Sequence, residues 1–183
     1  TRYLQNDFNP EGAPTISPAS SSVTAKTFSG KEVTLQLWDT AGQERFQSLS
    51  QVFYREANVA IICVDGTDAE SFNSVKNWDY RVKEHEPNCQ FVIAVTKMDL
   101  VDDRSSVVQL ANRVCEEEGI SNVFYTSSKT GECVQELFGC VASIGEKKDG
   151  KVETENAEDG DLAPKDAPKT VSLTEGTKKK KKG

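Results

Sequence analysis

The chain has 183 residues, with 29 acidic and 22 basic side chains, and its formal net charge is -7. This length suits one globular domain followed by a tail. The acidic balance argues against nucleic-acid binding, which requires a basic surface. No apolar run approaches the ~20 residues of a membrane span, and the five cysteines contain no CxxC pair. The cysteines therefore predict neither a disulfide framework nor a zinc site.

The first part of the chain predicts a helix end, a loop and a β-hairpin. Residues 1–8 have the character of a helix end, and residues 9–22 form a polar loop rich in Pro, Gly and Ser. Residues 23–28 and 33–38 alternate apolar and polar side chains around a turn that contains Gly30. We therefore expect two paired strands here, each with one buried face.

After this hairpin, apolar strands alternate with amphipathic helices. The predicted strands are residues 59–64, 91–95 and 123–125, and the predicted helical stripes lie within residues 72–82, 107–115 and 134–144. Strands and helices that alternate at this spacing predict an α/β fold, with a mostly parallel sheet flanked by helices on right-handed crossovers.

The composition changes near the end of the last predicted helix. Residues 149–183 are dominated by Gly, Asp, Glu, Lys, Ala and Pro, and they end in five consecutive lysines at 178–182. We expect two regions: a globular domain over residues 1–148 and a disordered tail over residues 149–183.

A strand followed by an acid, a glycine and an amide is the most informative feature. Asp39 ends the second hairpin strand, where a carboxylate can hold a water on a hard cation such as Mg²⁺. Gly42 allows the backbone to approach a phosphate, because no side chain stands in the way. Gln43 offers a donor and an acceptor that can orient an attacking water.

Two further loops follow predicted strands at the same edge of the sheet, where α/β proteins bind their ligands. The first contains Thr96, Lys97 and Asp99, and the second contains Ser127, Ser128 and Lys129. A carboxylate at Asp99 can accept hydrogen bonds from N1–H and the 2-amino group of guanine, whereas adenine lacks both donors. The stems of Lys97 and Lys129 can cover the purine and ribose, and a backbone N–H near Ser128 can donate to guanine O6.

Residues 38–46 read WDTAGQERF and residues 53–57 read FYREA. These segments resemble switch II and the adjoining segment of the Rab family of small GTPases. The resemblance implies a P-loop GTPase-type fold that binds GTP or GDP with Mg²⁺ and hydrolyses GTP slowly, with Gln43 as the catalytic residue. It also implies that Phe8 packs on guanine, and that Thr15, with Asp39, belongs to the metal site.

Two positions depart from the commonest pattern of the family. Thr96 stands where an NKxD motif has asparagine, and Ser128 stands where an SAK motif has alanine. Because Thr96 also occurs in Rho-type members, a Rho- or Ras-type signalling switch is an alternative reading.

The resemblance further implies a role in vesicle traffic for a cytoplasmic protein that is peripheral on endomembranes, with endosomes among them. Its implied partners are a guanine-nucleotide exchange factor, a GTPase-activating protein and effectors, which would contact the switch regions at residues 14–22 and 42–54. The lysines at 178–182 would favour an anionic membrane surface.

The motif GxxxxGK[ST], which cradles phosphates in such proteins, does not occur in these residues. We therefore expect an N-terminally incomplete GTPase domain in which the first, central strand and the P-loop are missing. Such a fragment should fold poorly and be inactive. The alternative from a different functional class is a non-hydrolysing scaffold with the same fold.

Overall fold

The computed structural model describes residues 2–12, 15, 19–40, 54–152 and 169–175, with the backbone alone at 148–152 and 169–175. The strands in these residues are β1 (Ala19–Lys26), β2 (Glu32–Asp39), β3 (Val59–Asp65), β4 (Gln90–Thr96), β5 (Asn122–Tyr125) and β6 (Lys169–Glu175). The α-helices are α1 (Arg2–Gln5), α2 (Val75–His85), α3 (Arg104–Glu118) and α4 (Val134–Val152). Two 3₁₀ helices are Ala69–Ser74 and Met98–Leu100.

The six strands form one sheet in the order β1-β2-β6-β3-β4-β5. Only β1 and β2 pair in antiparallel fashion, and every other neighbouring pair is parallel. The predicted α/β fold with a mostly parallel sheet is therefore confirmed. Parallel strands that run the same way bring their carboxyl ends to one edge, and the predicted ligand-binding loops follow β2, β4 and β5.

The β-hairpin of β1 and β2 is also confirmed, although β1 begins earlier than the sequence pattern predicts. Ala19 lies opposite Asp39 and Lys26 lies opposite Glu32. The turn is closed by the N–H of Thr27, which donates to the carbonyl of Lys31 at 2.8 Å. Gly30 has a φ of +85°, which an L side chain rarely adopts, so glycine is required at this point of the turn.

Helices cover both faces of the sheet. On one face, α2 and α3 pack over β3, β4 and β5, and the predicted helical stripe is fully buried there at Phe72, Val75, Trp78 and Val82. On the other face, α4 packs over the sheet through Leu137, Phe138 and Val141. The tyrosine ring of α1, Tyr3, stacks on Phe138 with ring centroids 3.7 Å apart. Apolar strands with both faces covered are what the continuous apolar runs of β3 and β4 predict.

The tail differs from the sequence prediction. Residues 149–183 were expected to be disordered, yet Lys169–Glu175 forms β6 in the centre of the sheet. Helix α4 also continues past the predicted domain end, to Val152. The physical reason is that β2 and β3 do not pair with each other, so each presents unpaired N–H and C=O groups that a strand between them satisfies. The segment is rich in the β-branched residues Thr and Val, which favour extended backbone.

The central position that the sequence analysis expected to be empty is therefore filled in this structure. Strand β6 pairs with both neighbours, with Leu173 opposite Asp39 of β2 and Glu175 opposite Cys63 of β3.

Within the described part of the chain, none of the helices has the length and apolar character that a bilayer crossing requires.

We predict that Ser172→Pro destabilises the fold by at least about 3 kcal/mol, because it removes a backbone donor from a strand that is paired on both sides. Ser172 lies opposite Trp38 on one neighbour and Ala60 on the other. The free energy of unfolding from urea titration would measure the loss. Ser172→Thr is the matched control, because it retains the N–H, and it should unfold at the wild-type midpoint. Equal midpoints for the proline and threonine variants would show that β6 contributes nothing to the sheet.

Candidate nucleotide-binding site

The two predicted metal ligands lie together at the carboxyl end of β2. Asp39 is the last residue of that strand and is exposed, and the hydroxyl of Thr15 donates to its Oδ2 at 3.2 Å. A carboxylate and a hydroxyl are hard oxygen ligands of the kind that Mg²⁺ accepts, and Mg²⁺ usually keeps waters and substrate phosphates as its other ligands. The described residues contain no group of three or more His, Cys, Asp and Glu side chains that could form a cage. The donor set therefore fits a cation that is shared with a phosphate.

Asp99, the residue predicted to recognise guanine, is hydrogen-bonded to Ser127, a second predicted site residue. Asp99 lies in the 3₁₀ helix Met98–Leu100, and its Oδ1 accepts a hydrogen bond of 2.6 Å from the hydroxyl of Ser127. Ser127 is fully buried, and its N–H donates to the carbonyl of Glu132 at 3.1 Å. Among the described residues nothing donates to Oδ2 of Asp99, so one carboxylate oxygen is fixed and the other remains available to a ligand.

Backbone hydrogen bonds join the loop after β4 to the loop after β5. The N–H of Met98 donates to the carbonyl of Thr126 at 3.1 Å, and the N–H of Thr126 donates to the carbonyl of Val95 at 2.6 Å. These bonds fix the distance between the loop that contains Lys97 and Asp99 and the loop that contains Ser127. The two loops therefore form one structural unit.

Lys97 is restrained by a residue that the sequence analysis did not identify, Asp65 at the end of β3. Nζ of Lys97 lies 2.7 Å from Oδ2 of Asp65, while Oδ1 accepts hydrogen bonds from the N–H and the hydroxyl of Thr67. Burial raises the pKa of the Asp65 carboxyl, but the hydrogen bonds from Lys97 and Thr67 outweigh burial and lower the pKa from 3.8 to about 2. An acid at the end of a buried strand, like Asp39, was the signal that could have identified it.

Gly66, which follows Asp65, allows the loop after β4 to lie close to β3. A Cβ at this position would meet the carbonyl oxygen of Thr96 at 2.9 Å and Sδ of Met98 at 3.1 Å. The N–H of Gly66 donates to the same Thr96 carbonyl at 2.9 Å. Close backbone contact between the two loops therefore requires glycine.

Thr96, which we predicted as a nucleotide-binding residue, uses its hydroxyl inside the protein. It donates to the carbonyl of Val64 at 2.8 Å and so links β4 to β3. Its observed contact supports the loop that contains Lys97.

The remaining predicted base contacts are at the surface. Ser128 and Lys129 are exposed, and Phe8 is 38% exposed. The carbonyls of Ser128 and Lys129 both accept hydrogen bonds from Arg2. Gly42 and the predicted catalytic Gln43 lie outside the described residues.

An arginine on α3 fixes the far end of the same loop. Nη1 and Nη2 of Arg104 donate to the two carboxylate oxygens of Glu132 at 2.6 and 2.9 Å. Nη2 also donates to the carbonyl of Met98 at 3.3 Å. The hydrogen bond from Arg104 lowers the pKa of the Glu132 carboxyl. A bidentate pair of this kind restrains direction as well as distance, so it orients the loop at Glu132.

We predict that Asp65→Asn lowers the free energy of unfolding at pH 7 by about 1–2 kcal/mol, after allowance for the half-exposed Lys97. Because the folded pKa of Asp65 lies below its ordinary value, its stabilisation is present above about pH 4 and is lost as the pH falls toward 2. Urea unfolding of the two proteins between pH 7 and pH 3 would measure the difference, with Asp102→Asn, an exposed carboxylate, as control. A difference that does not narrow below pH 4 would contradict the assignment.

The sequence matches the Ras family over residues 1–146, a range that contains the site residues described above. Ras-related protein Rab-21 of Mus musculus is 38% identical over 140 residues, which are 75% of this chain and 61% of that protein. Ras-related protein Rab-4 of Dictyostelium discoideum is 36% identical over 158 residues, 85% of this chain and 76% of that protein.

A third relative, GTP-binding protein ypt5 of Schizosaccharomyces pombe, is 34% identical over 142 residues, 77% of this chain and 67% of that protein. The chain spans about 61% of the length of the Rab-21 proteins that it matches. The matched residues include the loops after β2, β4 and β5. The chain therefore belongs to the Ras family, within its Rab group.

Proposed function

We propose that the protein binds GTP and GDP with Mg²⁺, hydrolyses GTP slowly and acts as a molecular switch of the Rab type in vesicle traffic. Ras-family GTPases in general bind these nucleotides, and they work with exchange factors, activating proteins and effectors. The observation that carries the proposal is the ordered pair Asp99–Ser127, at one edge of the sheet with the pair Thr15–Asp39.

The spacing of these two pairs suits a nucleoside triphosphate. Asp39 ends β2, and the loop with Asp99 follows β4, three strand positions away in the sheet order. At ~4.8 Å between neighbouring strands, the two ends of the site are about 14 Å apart. A base at one end and phosphates at the other would span this distance, with the phosphates directed toward the metal ligands.

Base selection would follow from the fixed carboxylate. Ser127 holds Oδ1 of Asp99 and so orients the carboxylate, which would accept two parallel N–H donors from a ligand such as guanine. A base without these donors would leave a partly buried carboxylate unpaired, and a site of this kind discriminates strongly. Lys97, held by Asp65, would cover the purine with its alkyl stem.

Hydrolysis would depend on positioning. We assign the orientation of the attacking water to Gln43, by resemblance to the family. Bound Mg²⁺ would neutralise charge on the phosphates, and Thr15 and Asp39 are the residues that would hold it. Because these residues contribute little covalent chemistry, we expect a slow intrinsic rate that a partner protein raises.

The 183 residues contain no GxxxxGK[ST] motif. We infer that they bind nucleotide more weakly than a chain with such a loop, and that they hydrolyse GTP poorly, because backbone N–H groups and a lysine would be missing from the phosphates.

We further propose that exchange factor, activating protein and effectors contact the segments at residues 14–22 and 42–54. The five lysines at 178–182 would draw the protein to anionic endomembranes at ~1 kcal/mol for each lysine near the surface. We propose that the protein associates peripherally with endosomal membranes.

We predict that Asp99→Ala weakens GDP binding at least about 100-fold, because it removes a charged acceptor for two hydrogen bonds. Fluorescence titration with a labelled GDP would measure the dissociation constant, and labelled ADP would report base selectivity. Asp102→Ala is the matched control, because it removes a nearby exposed carboxylate and should leave binding unchanged.

A folded wild-type chain that binds neither GDP nor GTP would contradict the proposed function and favour the scaffold alternative. Equal binding of GDP and ADP would contradict base selection by Asp99.

We predict that Gln43→Ala lowers the rate of GTP hydrolysis ~100-fold, because the attacking water loses its orientation. The dissociation constant of GDP should stay at the wild-type value, since no phosphate is attacked in that complex. Single-turnover release of phosphate would measure the rate, and Gln47→Ala is the control. Unchanged hydrolysis in the Gln43 variant would show that another group orients the water.

A further inference from the structure

Arg2 connects two segments that carry proposed base contacts. Its Nε and Nη2 donate to the carbonyls of Ser128 and Lys129 at 2.5 and 2.6 Å. Its Nη1 donates at 3.0 Å to both the carbonyl and the side-chain oxygen of Asn6. We propose that Arg2 is a positioning residue for the nucleotide base, which aims the backbone donors of the loop after β5 at guanine O6. This inference rests on the proposed function.

The geometry of the peptide unit gives the direction of the donors. In a planar trans peptide the carbonyl and the N–H point to opposite sides. When the Ser128 carbonyl points to Arg2, the N–H of Lys129 points away from Arg2. In the same way the Lys129 carbonyl sets the N–H of Thr130, which donates to the hydroxyl of Ser127 at 3.1 Å. Arg2 therefore fixes two consecutive peptide planes.

The consecutive N–H groups of Ser128 and Lys129 have no acceptor in the described part of the chain. The carbonyl of Ser127 accepts from the N–H of Gly131 at 2.8 Å, which directs the N–H of Ser128 away from that bond. A carbonyl oxygen of guanine would satisfy both donors. The positive charge of Arg2 on the Ser128 carbonyl also polarises the peptide and strengthens the N–H of Lys129 as a donor.

The guanidinium of Arg2 also holds the end of α1, from which the chain continues to Phe8. Asn6, at a φ of +51°, terminates α1, and Arg2 satisfies its carbonyl and its side-chain oxygen. Phe8 follows two residues later. Because Tyr3 stacks on Phe138 of α4, the residue next to Arg2 is anchored to the core. Arg2 thus ties the end of α1, two residues before Phe8, to the loop after β5.

Arginine is the residue type that this arrangement requires. Its planar guanidinium presents donors in fixed directions, so it can bond four acceptor oxygens of three residues at once. Lysine has the same charge, but its ammonium is a point donor that cannot hold both carbonyls and Asn6 at once. Removal of Arg2 leaves the loop bound through Ser127 to Asp99 and through Glu132 to Arg104, so the fold should persist.

The test compares Arg2→Lys with wild type and with Arg113→Lys, the same change at an exposed position on α3. The dissociation constants of GDP and of 6-thio-GDP are measured by fluorescence competition, because sulfur at position 6 is a poor acceptor. We expect GDP binding about 10-fold weaker in Arg2→Lys. The ratio between the two ligands should fall toward one, with the urea unfolding midpoint unchanged.

Equal losses for GDP and 6-thio-GDP would overturn the inference, because the effect would not pass through O6. Wild-type affinity in the Arg2 variant would also overturn it. If Arg2→Lys unfolds, the same two dissociation constants are measured in Arg2→Gln, whose single amide cannot hold both carbonyls and Asn6, and a wild-type ratio in that variant would overturn the inference. A wild-type chain that does not bind GDP would instead refute the proposed function.

Discussion

Backbone pairing at the centre of the sheet is the constraint on which the rest of the structure depends. Strands β2 and β3 form no ladder with each other, and each pairs with β6 between them. The interval between Asp39, at the end of β2, and Asp65, at the end of β3, is therefore set by a third strand. Since the proposed metal ligand Asp39 ends one of these strands and Asp65, which restrains Lys97, ends the other, the geometry of the proposed site depends on that central position.

The site itself is organised by contacts among its own loops before any ligand is considered. Ser127 fixes one oxygen of Asp99, Asp65 fixes Lys97, and Arg104 and Arg2 fix the two ends of the loop after β5. Preorganised groups bind a ligand with less loss of conformational entropy, because less of the protein must be ordered on binding. The proposed base end is thus held by several contacts within the protein. At the proposed phosphate end, the described residues are Thr15 and Asp39.

Some strands and site residues could be predicted from the sequence, and others could not. The alternation of Val33, Leu35 and Leu37 predicted a half-buried strand, and all three are buried in β2. The rule that ligands bind at the carboxyl ends of parallel strands identified Asp39, Asp99 and Ser127, and contacts at this edge involve each of them. The same rule applied to β3 would have identified Asp65. The strand at Lys169–Glu175 was missed because the polar sequence around it is typical of disorder.

The sequence by itself determined the class of fold and the chemistry of each loop, because periodicity and residue type are local properties that do not depend on distant partners. Tertiary structure alone decided which segment occupies the centre of the sheet and which distant residues restrain the loops. Arg2 and Lys129 are 127 positions apart, and Asp65 and Lys97 are 32 apart. The second pair forms because the strands bring their carboxyl ends to one edge, and the first because α1 packs on α4 through Tyr3 and Phe138. No local pattern in the chain encodes either proximity.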